Sequence, residues 1–171
     1  MCDSSVSLQE EENDASRRCT RLVNSLILFL HIATMFIVIA LHSGPQILLY
    51  AATRSRRPTV VAAIADVYAR TGRAVPPLGI LGGLFGLSAG LVLGLDLLAP
   101  WLLIAYGLFA LIVLFGGIVS VPYIARLGAA ARAGDARYDD LAGRRFTVIV
   151  LVDALIYASI VADMVLKPFG P

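Results

Sequence analysis

The chain has 171 residues, of which 58% are hydrophobic and only 15% are charged. This balance excludes an ordinary soluble globular domain and is typical of a protein that lies mostly in a membrane. The formal net charge of +2 is too small to indicate binding to nucleic acid. About four apolar spans of ~20 residues account for most of the length. We therefore predict an all-α fold, a polytopic membrane protein with a four-transmembrane-helix bundle.

Residues 1–20 form a polar, acidic leader, for which we predict a disordered tail and no cleavage as a secretory signal. The two cysteines, Cys2 and Cys19, both lie in this leader, and no CxxC motif or neighbouring histidine accompanies them. They are too few for a tetrahedral metal site. We interpret them as two thiols without a site, or as a disulfide if the tail faces an oxidising compartment.

The first apolar run lies between Arg21 and Arg54 and contains no formally charged side chain. It is longer than a bilayer requires, so we predict a first span at residues 22–42, a break at Gly44 and Pro45, and a helical extension towards Ala52. Residues 58–73 carry apolar side chains at helical spacing with arginines between them. This pattern predicts either an amphipathic interfacial helix or a protruding base of the second span.

The remaining spans are predicted at residues 74–95, 101–122 and 146–166, and the four together form one domain at 21–168. Glycines recur at every fourth residue of the second span, which predicts a groove where a neighbouring backbone approaches closely, in this chain or in another copy. These helix-packing glycines are Gly82, Gly86, Gly90 and Gly94.

The distribution of basic residues predicts the orientation in the membrane. Ten arginines lie on one side: Arg54, Arg56, Arg57, Arg70, Arg73, Arg126, Arg132, Arg137, Arg144 and Arg145. The other side has only Arg17, Arg18, Arg21 and Lys167. The positive-inside rule places both long loops in the cytoplasm and both termini outside.

Four polar side chains within the spans are candidates for a functional site: His31, His42, Asp153 and Tyr157. A rise of ~1.5 Å per residue puts His31 near the midplane, level with Tyr157, and Asp153 between the depths of the two histidines. They form either a proton or ion path or a structural fastener. As a fastener, His31 would bond to Tyr157 or a backbone carbonyl, and Asp153 would pair with a loop arginine such as Arg145.

No cofactor is predicted. The two histidines lie eleven residues apart on one helix, about 16 Å along its axis, so they cannot clamp one haem iron. A haem would need Met35, Met164, an open position or a histidine from another subunit. A copper pathway would use His and Met side chains as ligands. The chain has only three methionines, so this pathway has little support. No HExxH, GxSxG or phosphate loop is present, which favours a protein that is not an enzyme.

The first span reads LFLHIATMFIVIALHSG, and the last one ends in DMVLKP. With the four spans and the basic first loop, these segments make the chain resemble an uncharacterised family of bacterial predicted integral membrane proteins, a domain of unknown function. That family is distantly like the membrane domain of copper-resistance protein D. The resemblance implies that His31, Gly44, Lys167 and Pro168 are family positions, without giving them a role.

We interpret the protein as a small, non-enzymatic membrane subunit or scaffold in a bacterial cytoplasmic membrane. The alternative is a transporter, a proton or metal pathway, or a haem-binding redox subunit that uses His31 and Asp153. The expected partners are the lipid bilayer and, through the glycine face, a second copy or a larger membrane complex.

Overall fold

The computed structural model describes residues 4–167, which form seven α-helices and one π-helical turn. Side chains are described for Asp14 and for residues 16–167. The elements are α1 Ser4–Arg54, α2 Pro58–Thr71, α3 Val75–Val92, α4 Pro100–Phe115, the π-helical turn Gly116–Ser120, α5 Val121–Ala133, α6 Tyr138–Leu141 and α7 Arg144–Leu166.

Four stretches of these helices are long and apolar enough to cross a membrane: Ser16–Arg54, Val75–Val92, Pro100–Ala133 and Tyr138–Leu166. No strand occurs in the part of the chain that the structure describes. The predicted fold class, an all-α membrane protein with four spanning helices, is therefore confirmed.

The first helix is longer than the sequence analysis expected. A disordered tail was predicted over residues 1–20, but α1 begins at Ser4 and continues into the span; residues 1–3 lie outside the described part. The leader is polar, yet its Glu, Gln, Leu and Arg residues are good helix formers. Adding residues to the helix that the span already forms costs less free energy than starting a new helix. Asp14 and Arg18 add an ion pair one turn apart, at 2.9 Å.

The predicted break at Gly44 and Pro45 is also absent, because α1 runs through Pro45 to Arg54. Neighbouring helices can compensate for the backbone group that a proline leaves unpaired inside a membrane helix. The segment after Pro45 packs against α2, where Leu49 is fully buried with Val61 and Phe146. This packing holds the last turns of α1 in helical form.

Helix α2 is a separate element that lies against α1 and α5. Its apolar face, which includes Val61 and Tyr68, joins Leu127 in the largest buried cluster. Gly128 of α5 lies so close to Ala65 that a Cβ added to the glycine would be 2.5 Å from the Ala65 Cβ. Two helix backbones therefore approach closely here, as small residues allow.

The glycine face of α3 meets α1 of the same chain. A Cβ at Gly82 would lie 2.7 Å from Met35 Sδ, and one at Gly86 would lie 2.7 Å from His31 Cε1. Gly90 faces Leu97 instead. Gly94 does not belong to the groove: it lies beyond the helix with φ of +66°, and its left-handed conformation ends α3.

Candidate functional site: a buried carboxylate beside an apolar cavity

Asp153 of α7 lies at the centre of a buried polar cluster, and only 1% of its surface is exposed. Its Oδ2 atom accepts hydrogen bonds from Gln46 Nε2 at 2.5 Å and from Ser120 Oγ at 2.9 Å. His42 Nε2 lies 3.5 Å from the same oxygen. We call His42, Gln46, Tyr68, Ser120 and Asp153 the Asp153 cluster.

Tyr68 of α2 closes the cluster on the side of His42. Its hydroxyl lies 3.4 Å from His42 Nδ1 and 3.4 Å from Gln46 Nε2. Burial raises the pKa of Tyr68 well above its usual value, so this hydroxyl keeps its proton. It can therefore donate to Nδ1, which places the ring proton on Nε2, facing Asp153.

A second contact supports the other tautomer of His42. Gln46 Nε2 lies 3.3 Å from His42 Nε2, and an amide nitrogen only donates. In that arrangement Nε2 accepts from Gln46, and the proton on Nδ1 points to the Tyr68 oxygen. The cluster can therefore satisfy His42 with its proton on either nitrogen.

Helical spacing and one irregular turn bring these groups together. His42 and Gln46 are one turn apart on α1, so both face the same neighbour. Ser120 ends the π-helical turn, where the N–H of Val121 bonds to the carbonyl of Gly116, five residues back. Pro122 comes directly after Val121. A proline has no backbone N–H, so it interrupts the regular helical hydrogen bonds of the preceding turn. The resulting bulge, a feature frequent at functional sites, points Ser120 at Asp153.

One oxygen of Asp153 remains without a partner. Within the described residues, Oδ1 is buried and makes no hydrogen bond, although Oδ2 receives two. More than nine in ten buried polar groups in proteins are paired, so an unpaired carboxylate oxygen calls for an explanation. Asp163, ten residues further along α7, is also buried, and both of its oxygens lack a partner among the described residues.

A cavity of about 340 Å³ lies next to the cluster, between α1, α3, α4 with the π-helical turn, and α7. Its wall consists mainly of aliphatic side chains, Phe109 and glycines, and its polar side chains are those of His42 and Tyr157. The two rings are in contact, with centroids 5.7 Å apart. His42 therefore lies between the carboxylate of Asp153 and a largely apolar cavity.

The family comparison agrees with membrane residence. The sequence profile of the family described as "Predicted integral membrane protein (DUF2269)" matches residues 25–168, well over half of the chain. The chain belongs to this family. No curated protein and no solved structure matches it. The family description gives a location in the membrane and no biochemical role.

Three of the four positions implied by the resemblance to this family lie in the described part of the chain. His31 packs on α3, and Gly44 lies within α1 with open space around it. Lys167 ends α7 in a left-handed conformation, with Nζ 5.4 Å from the centre of the Trp101 ring. Pro168 lies outside the described residues. None of these positions belongs to the Asp153 cluster.

The structure brings together three of the four residues proposed as an intramembrane site. His42, Asp153 and Tyr157 are neighbours, whereas His31 is separate: its Nδ1 lies 2.8 Å from the carbonyl oxygen of Gly82. Tyr157 was expected to lie level with His31, but its ring contacts His42 instead. The expected bond of His31 to a backbone carbonyl does occur.

Asp153 is held by neutral donors and His42, and Arg145 is not among the hydrogen-bond or ion-pair partners found for it. Sequence reasoning missed Gln46, Tyr68 and Ser120, because it searched the spans for ionisable groups. The spacing of Gln46 one turn after His42 was the available signal. No group of three or more His, Cys, Asp or Glu residues that could hold a metal ion occurs within the described part.

Proposed function

We propose that this protein is a non-enzymatic membrane subunit in which Asp153 and His42 bind and release a proton inside the bilayer. The observation that carries the proposal is the unpaired Oδ1 of Asp153 in an otherwise well-bonded cluster. A protonated carboxyl would carry its hydrogen on that oxygen and leave the two bonds to Oδ2 intact. Ionisable groups within membrane spans commonly serve in proton relays.

The chemistry of the pair suits a single mobile proton. It can lie on Asp153, giving a neutral acid beside a neutral imidazole, or on His42, giving a carboxylate beside an imidazolium 3.5 Å away. Among the described residues, the other titratable groups that interact with Asp153 are Tyr68 of α2 and Tyr157, one turn further along α7. Both states have total charge zero, so neither places a net charge inside the membrane.

An infrared titration of the purified protein in lipid tests this function. We expect a carboxylic C=O band in the wild-type protein that is missing in Asp153→Asn. Asn keeps a carbonyl oxygen that can accept the hydrogen bonds from Gln46 and Ser120, so we expect this variant to fold. Asp66→Asn is the control, because Asp66 is half-exposed and pairs with Arg132. An Asp153→Asn protein that retains the same band would refute the proposal.

A purely structural subunit or scaffold is the second candidate. It is favoured by the way the Asp153 cluster joins α1, α2, the π-helical turn and α7 through one carboxylate. Proton uptake into dye-loaded liposomes separates the two roles. A scaffold predicts that Asp153→Asn changes stability and leaves uptake at the wild-type rate, whereas a proton-handling subunit predicts lower uptake.

We also propose a bacterial cytoplasmic membrane as the location, with the arginine-rich loops in the cytoplasm. The excess of arginine in the loops on one side supports it. Cys19 is exposed on α1 and can be labelled alone in a Cys2→Ser variant. An impermeant maleimide should then react in intact cells. Labelling that requires lysis would mean that the amino terminus is inside.

A further inference from the structure

We propose that the cavity beside His42 binds an uncharged, lipid-soluble molecule that has a compact apolar body and a hydrogen-bond-accepting oxygen at one end. This binding site goes beyond the proton role of Asp153 and does not require it. The volume of about 340 Å³ lies at the lower end of the roughly 300–1,000 Å³ that is usual for small-molecule sites. It suits a body of one or two rings.

The lining determines the chemical class of the ligand. Most of the wall is apolar, with Met35, Ile112 and Phe109 among its side chains, and no Lys, Arg, Asp or Glu is found in it among the described residues. A charged ligand would lose its hydration without gaining a counter-charge, which is costly in a membrane. An uncharged apolar ligand does not give up such favourable hydration when it enters the cavity. The cavity therefore selects against ions.

One end of the cavity is polar. The ring of Tyr157 lines the cavity next to His42, and no hydrogen bond of its hydroxyl to another described residue is found. A phenol O–H is a good hydrogen-bond donor. A carbonyl oxygen on the ligand would accept that hydrogen bond.

The position of Tyr157 also provides access from the bilayer. Tyr157 and Ile39 line both the cavity and a second, shallow groove on the outer face of α7. That groove continues over Val161 and Val165, whose side chains are exposed in the isolated chain and so face lipid in the membrane. The cavity therefore lies beside a lipid-facing groove, and a lipid-soluble molecule can approach it from the bilayer without crossing water.

A pair of probes tests the polar end. Menadione, a methylnaphthoquinone, has a two-ring body with carbonyl oxygens, and 2-methylnaphthalene has the same body without them. We expect equilibrium dialysis against protein in lipid nanodiscs, corrected for uptake by empty nanodiscs, to show stronger binding of menadione. Tyr157→Phe should weaken menadione binding about two- to tenfold, the effect of one hydrogen bond, and leave 2-methylnaphthalene unchanged. Equal binding of both probes by the wild type would overturn the proposed polar contact.

Two glycines of α3 test the location. Gly79 is buried and lines the cavity, and a Cβ there meets Phe109 at an ordinary 3.7 Å, so Gly79→Val should fill the space. Gly83 has open space around it, so Gly83→Val is the matched control. We expect Gly79→Val to lose at least tenfold in menadione binding and Gly83→Val to bind as the wild type does. Equal binding by the two variants would refute the cavity as the site.

The same assay separates this proposal from the proton role. Asp153 does not line the cavity, so Asp153→Asn should bind menadione within about twofold of the wild type. If the infrared titration fails while menadione binding follows Tyr157 and Gly79, the ligand site stands alone. If Tyr157→Phe leaves menadione binding unchanged, the ligand proposal falls and the proton role is untouched.

Discussion

The contact between Gly86 and His31 gives the sharpest test of helix packing, through the substitution Gly86→Ala. A Cβ at Gly86 would lie 2.7 Å from His31 Cε1 and 2.8 Å from Nδ1. To reach 3.4 Å, still a tight contact, the imidazole must retreat by about 0.7 Å. The ring is rigid and is tied to the Gly82 carbonyl at 2.8 Å, so a retreat strains that hydrogen bond. We expect Gly86→Ala to lower the free energy of unfolding by about 1–3 kcal/mol, as overpacking does.

Gly83→Ala is the matched control, because a Cβ at Gly83 meets nothing within 4 Å. Its effect should stay within about 0.5 kcal/mol of wild type. Unfolding with sodium dodecyl sulfate in mixed micelles, followed by circular dichroism, measures both variants. The double variant His31→Ala/Gly86→Ala removes the obstructing ring, so Gly86→Ala should cost less than about 0.5 kcal/mol in that background. Equal effects of the Gly86 and Gly83 substitutions would refute the close approach of α1 to α3.

Three further results are expected. Asp163→Leu should raise the free energy of unfolding by about 1–3 kcal/mol, since it removes a buried carboxylate without a described partner. Asp153→Leu should lower the free energy of unfolding by a similar amount, because Gln46 and Ser120 lose the oxygen that accepts their hydrogen bonds. Chemical denaturation of both variants checks this contrast. Gly128→Val should destabilise the protein by about 1–3 kcal/mol or more, because Ala65 leaves no room for a side chain, and a thermal melt in detergent measures it. Finally, a purified sample should show no Soret band and no bound metal; a Soret band would instead establish the haem-binding alternative.

The sequence predicted the architecture well, because each span leaves a clear hydrophobic signal. Length and composition were enough for four spanning helices, and the glycine period led to the close contact of α3 with another helix. The period alone did not indicate that the partner is α1 of the same chain. It also did not separate Gly94, which ends the helix, from Gly82 and Gly86, which pack. Those distinctions depend on where neighbouring helices lie.

The site was predicted only in part, and the reason is physical. A search for ionisable groups finds Asp153 and His42, since charge in a span is rare and costly. Gln46 and Ser120 are neutral, so a search for ionisable groups does not find them, and only the fold shows that they contact Asp153. Depth along straight helices paired the wrong histidine with Tyr157, because relative helix position is not encoded in any one span.

The proton and scaffold roles make different demands on the same cluster, and they can coexist. Gln46 and Ser120 hold Oδ2 of Asp153 whether or not Oδ1 carries a proton, so the bundle can stay assembled in both states. What changes with the proton is the environment of His42, whose ring contacts the cavity through Tyr157. A cluster that only fastened helices would not need a histidine between its carboxylate and the apolar cavity.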